Sequence, residues 1–63
     1  IDIIWIKGGL VVDIMPEAPP AAPDDNNPPV YLPREDAGGV LEVPAGFAEK
    51  YNLKIGDKIE KLD

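Results

Sequence analysis

The chain contains no cysteine and no histidine. Without cysteine there is no disulfide and no thiolate metal site. Without histidine the commonest metal ligand and the commonest general base are missing as well. A structural zinc site is therefore not expected, and the reading assigns no other metal site and no cofactor. No apolar run approaches the ~20 residues that a spanning helix needs, so membrane insertion is not expected. Positive charge is scarce: six Lys and Arg stand against twelve Asp and Glu, a net charge of −6. Nucleic-acid binders show basic patches, so nucleic acid is not an expected partner. A nucleic-acid-binding swapped-hairpin dimer would need a basic stripe, and the four lysines of residues 37–63 are offset by five acids in the same segment. The opening IDIIWIKGGLVVDIM lacks the basic n-region and small-residue cleavage site of a signal peptide. The chain starts on Ile, which leads us to expect that an upstream part is missing.

What is present falls into three regions of a single 63-residue domain, or of the C-terminal part of one. Residues 1–15 are rich in Ile, Val and Trp, which suit a pleated, packed surface. Gly8-Gly9 separates two such runs, and a two-residue hairpin turn needs φ > 0 at both central positions. The reading is strands at residues 2–7 and 10–15, with Lys7 facing Leu10 and Trp5 facing Val12. The first strand is apolar almost throughout, so it should be covered on both faces. Residues 16–33 hold seven of the eight prolines. Proline lacks an amide proton and fixes φ, so an extended surface loop is expected. Its tip at residues 24–27, DDNN, reads as a solvated turn; weak calcium binding through oxygen ligands is the alternative. Residues 40–62 read as a strand at 40–43, a helix over 45–51 after Pro44, a turn at Gly56-Asp57 and a closing strand at 58–62. Phe47 and Tyr51 lie four apart, on one helical face. Asn52 suits the left-handed residue that ends a helix. The expected core is Ile4, Ile6, Val11, Ile14, Val40, Leu41, Phe47, Leu53, Ile55 and Ile59, with Phe47 among the costliest to truncate.

The last third shares a Leu-Lys-x-Gly-Asp turn with PDZ domains. It shares its strand, short helix and Gly-Asp turn with swapped-hairpin transcription factors and double-psi barrels. A fuller pattern runs through Asp2-Ile3-Ile4-Trp5-Ile6, Val11-Val12-Asp13-Ile14, Pro29-Val30-Tyr31, Val40-Leu41-Glu42-Val43, Ala45-Gly46 and Leu53-Lys54-Ile55-Gly56-Asp57. In order and spacing this resembles the C-terminal part of domain-of-unknown-function family 192, an uncharacterised family of bacteria and archaea. The resemblance implies a mostly β, barrel-like domain with one short helix. It also implies an absent N-terminal half that carries a Trp-Met-Lys-Asn-Thr motif. Many members have a Cys pair in the Pro-rich loop, which this chain lacks. The family context is often export, so an extracellular or cell-surface location is the expectation. The Ile, Lys, Glu and Pro content points to a thermophile.

The candidate site residues are Asp2, Tyr31 and Glu42. Asp2 and Glu42 each interrupt an apolar strand and match recurrent acidic positions of the family pattern. Burial raises a carboxyl pKa unless hydrogen bonds oppose it, and a close pair could work as general acid and base. The plainer reading has them pointing outward or bonding backbone N–H groups. Tyr31 should pack the loop onto the sheet while its hydroxyl finds a partner, or touch a ligand. Asp57 should accept backbone N–H bonds in its turn, and Trp5 should be core. No nucleophile with an adjacent base is visible. The expected function is a non-catalytic binding or structural role. The alternative is a fragment of a carboxylate-dependent enzyme, its site completed by a missing N-terminal half. The domain should be incomplete alone, the exposed edge with Ile and Trp in residues 1–6 covered through β-strand pairing by that missing segment, a second copy or another chain.

Overall fold

The computed structural model describes residues 1–19, 24, 26 and 30–59. Three antiparallel strands form one open sheet: β1 (Asp2–Lys7), β2 (Leu10–Met15) and β3 (Gly39–Val43), in the order β2-β1-β3. One short helix, α1 (Phe47–Lys50), follows. The described residues are thus mostly β with one short helix, as the resemblance implied. The described strands stay in an open sheet rather than closing into a barrel. β1 is the central strand and not the exposed edge expected of its Ile and Trp residues; pairing on both sides accounts for its apolar residues on both faces.

Gly8 and Gly9 turn the first hairpin with φ of 58° and 80°, so the glycine pair does what its sequence suggested. Lys7 faces Leu10, but Trp5 faces Asp13 rather than Val12. The register shifts between Trp5 and Ile6, leaving Val12 as the extra residue of a β-bulge. The hydrophobic pattern explains the shift. Val11 and Ile14 are three apart and would point to opposite faces of a regular strand. With Val12 bulged, both come to the face of β1 that carries Ile4 and Ile6. An unbulged strand would instead set Asp13 opposite Ile4 and turn it toward that face.

Directly opposed residues share a face. Asp2, Ile4 and Ile6 therefore lie with Val11, Ile14, Leu41 and Val43 on one face. Ile3 and Trp5 lie with Asp13, Met15, Val40 and Glu42 on the other. On this second face Ile3, Trp5 and Ala18 form a buried cluster, flanked by Ile1, Val12, Met15, Tyr31 and Ala37. The Pro-rich segment thus contributes Ala18 to the core, although none of its described residues is in a strand or helix. On the first face Ile4 and Val11 are fully buried. Residues 56–59 run beside β2: Val11 N–H donates to the Asp57 carbonyl, Gly56 N–H to that of Val11 and Ile59 N–H to that of Gly9.

Three expectations need correction. The helix is four residues long and not seven, because Gly46 takes a left-handed φ of 89° that no helix continues through. The expected core is too wide at the edge: Val40, Leu41 and Ile55 are exposed, and Phe47 is only half-buried. β3 is an outer strand, so its side chains have a neighbour on one side only. The closing strand is seen as a single bridge, Leu10 to Lys58; its remainder, residues 60–62, lies outside the described residues, as do parts of the DDNN tip. Asp24 and Asn26 of that tip are exposed.

Candidate functional site

Asp2 is fully buried at the start of the central strand. A lone carboxylate there would be driven to its neutral form. Its surroundings prevent this. One oxygen accepts the Glu17 backbone N–H at 2.8 Å and the Gly46 N–H at 3.3 Å. The other accepts the Ala48 N–H at 2.9 Å. The Glu17 bond, followed by the Ala48 bond, outweighs desolvation and holds the Asp2 carboxyl below its ordinary value. Chain geometry supplies these donors. Glu17 sits in a left-handed conformation, φ 54°, just after β2. The Ala48 N–H belongs to the first turn of α1, where helix amides have no intrahelical acceptor. Gly46 at the cap position has no side chain to serve them. Asp2 performs this capping from the sheet, tying the loop, the helix start and β1 to one side chain.

Asp13 does similar work on the opposite face. It accepts the Ile14 N–H at 2.9 Å and the Arg34 N–H at 2.7 Å, and the Arg34 guanidinium lies 3.3 Å away. Burial pushes the Asp13 carboxyl up, but the two N–H groups and the cation outweigh it, leaving the carboxyl below its ordinary value. Tyr31 packs against the Ile3–Trp5–Ala18 cluster, with its hydroxyl 3.5 Å from the Pro19 carbonyl. The two ends of the Pro-rich segment are thus pinned to the sheet from both faces. Asp57 accepts the Lys54 N–H at 2.8 Å, the local turn role expected of it.

Between β3 and the segment before it lies an open groove of about 410 Å³, lined by Trp5, Pro33, Asp36, Ala37, Gly38, Gly39 and Val40. Trp5 is mostly core, 7% exposed, yet it forms part of this lining. Glu42 is exposed on the face of Val40. Among the described residues no ion pair engages Asp36 or Glu42.

Of the three candidate residues, Asp2 faces the helix, Tyr31 packs on the opposite face, and Glu42 is exposed there. Asp2 opposes Val43 and Glu42 opposes Ile3, one position along, so the register sends the two carboxylates to opposite faces. Sequence reading missed Asp13 and the groove. Asp13 carried the same signal as Asp2, an acid inside an apolar strand; the groove depends on a tertiary approach with no local mark. No group of three or more Asp or Glu that could hold a metal ion occurs among the described residues. No described helix is long and apolar enough to cross a membrane.

The family model for DUF192, described as an uncharacterized ACR, matches residues 1–61. The chain belongs to the DUF192 family. The match takes in nearly all of this chain and is not confined to its C-terminal part. Within this DUF192 chain, Asp2, Asp13 and the groove all fall inside the matched segment. No curated protein and no solved structure matches the chain.

Proposed function

We propose that this DUF192 chain is a non-catalytic β module with a binding or structural role, acting outside the cell or at its surface, whose recognition surface is the groove beside Trp5. The observation that carries this reading is the state of its two inward-facing carboxylates. Asp2 and Asp13 have both oxygens committed to backbone N–H groups or to Arg34. A carboxylate so engaged orders the chain and has little capacity left to move a proton for a substrate. The enzyme alternative asks Asp2 and Glu42 to converge, and they lie on opposite faces. Completion of the sheet by strand pairing along β3 belongs to the same reading, whether the added strand comes from a longer version of the chain, a second copy or another protein.

Trp5 is the chain's single tryptophan, which makes the groove easy to watch. Ligands that enter it should change Trp5 emission saturably, and Val40→Asp should abolish the change while leaving the far-UV spectrum intact. Turnover of a hydrolase substrate panel that disappears in a folded Asp2→Asn variant would overturn the proposal.

A further inference from the structure

The outer edge of β3 joins an open backbone edge, an apolar surface and unmatched charge. β3 pairs with β1 along one side. Along the other, no backbone hydrogen bond engages Gly39–Val43 among the described residues. Val40 is 57% exposed and Leu41 41%, an apolar pair of a kind that edge strands usually blunt. Val40 lines the Trp5 groove together with Asp36. Glu42 stands two residues along β3 on the same face, about 7 Å away at strand rise. Neither carboxylate is in an ion pair within the described residues. A second copy would bring the same acids and another net charge of −6 to this edge, so like-charge repulsion opposes self-pairing. A strand of opposite sign meets no such penalty.

Resting on the reading of the groove as a recognition surface, we propose that the outer edge of β3 takes an extended peptide with a lysine or arginine two residues from an apolar residue, so that both side chains reach the face of Val40 and Glu42. The peptide adds as a fourth strand. Main-chain hydrogen bonds hold it; its apolar side chain covers Val40 in the groove, and its basic side chain meets Asp36 or Glu42.

The test titrates the full chain at low salt with a short Lys-Thr-Val-Thr repeat, the Lys-Val peptide, whose Lys and Val share one face of a strand, following Trp5 emission and backbone amide shifts. A Glu-Val peptide and an N-methylated Lys-Val peptide serve as comparisons. The expected result is saturable binding of the Lys-Val peptide alone, with shifts centred on Gly39–Val43. Glu42→Gln and Asp36→Asn should each weaken it by up to about fivefold, the scale of one exposed ion pair. Equal binding of the Glu-Val peptide, or shifts confined to other segments, would overturn the proposal. So would sedimentation showing that the chain pairs with itself through β3, or an edge already protected from exchange by another part of the chain. If the Trp5 response survives N-methylation, the groove remains a recognition surface but strand addition fails. If β3 shifts occur with no Trp5 response, strand addition stands and the groove reading fails.

Discussion

Asp2 shows how one side chain can set the character of a small fold. A buried carboxylate is tolerable only where its lone pairs are occupied, and here three backbone amides from two distant segments occupy them. Asp2→Asn keeps one acceptor oxygen and loses the other with the charge. It should lower the urea midpoint more than Asp57→Asn, whose bond lies in a local turn. The pH dependence follows from the depressed Asp2 and Asp13 carboxyls. Below their ordinary value of 3.8 the unfolded chain takes up protons before the folded chain does. Their contribution is therefore complete above that value and is lost as pH falls through the lower folded values. Urea midpoints between pH 6 and pH 2 should fall steeply only in that acid range, and less steeply in Asp2→Asn. Packing gives a second contrast. Ile4 is fully buried, and Ile4→Ala should cost about 2–5 kcal/mol. Val40→Ala, at the exposed edge, should stay within about 0.5 kcal/mol. Reversal of that order in denaturant titration would place the core on the wrong strand.

At the scale of elements, the glycines separate turns from open edge. Gly8 and Gly9 have left-handed φ, so alanine at either should cost about 1–2 kcal/mol. Gly39 has an ordinary φ, and an added Cβ would meet nothing within 4 Å. Gly39→Ala should therefore be neutral or slightly stabilising, and thermal melts of the three variants test the contrast. Much of the element level was legible in the chain itself. The bounds of β1 and β2 follow from apolar runs broken by Gly8-Gly9, and Asn52, with φ 52°, ends the helical segment as its side chain suggested. Phe47 and Tyr51 do share a face, their ring centroids 4.7 Å apart. What could not be read locally depends on where the sheet ends. The exposure of Val40 and Leu41 depends on strand pairing across a long sequence separation, whereas the Val12 bulge lies in the local hairpin and follows from the spacing of Val11 and Ile14. Asp2 as cap of a helix forty-six residues away is legible only as an acid out of place.

For the molecule as a whole, the central claim is that Asp2 is a structural latch, joining the Pro-rich segment and the helix start to the central strand, and not a reactive acid. The sheet alone is small and open; Asp13 and Ala18 also fasten the Pro-rich segment to it, but Asp2 is the side chain that joins that segment, the helix start and β1 together. Native-state amide exchange tests it most directly. The account predicts that the Glu17 and Ala48 amides exchange slowly in the native chain. In Asp2→Asn the amide facing the substituted oxygen should lose protection, while the Val11 amide, bonded to the Asp57 carbonyl, keeps it. Rapid exchange at Glu17 and Ala48 in the native chain, or unchanged protection of both in Asp2→Asn, would contradict the account.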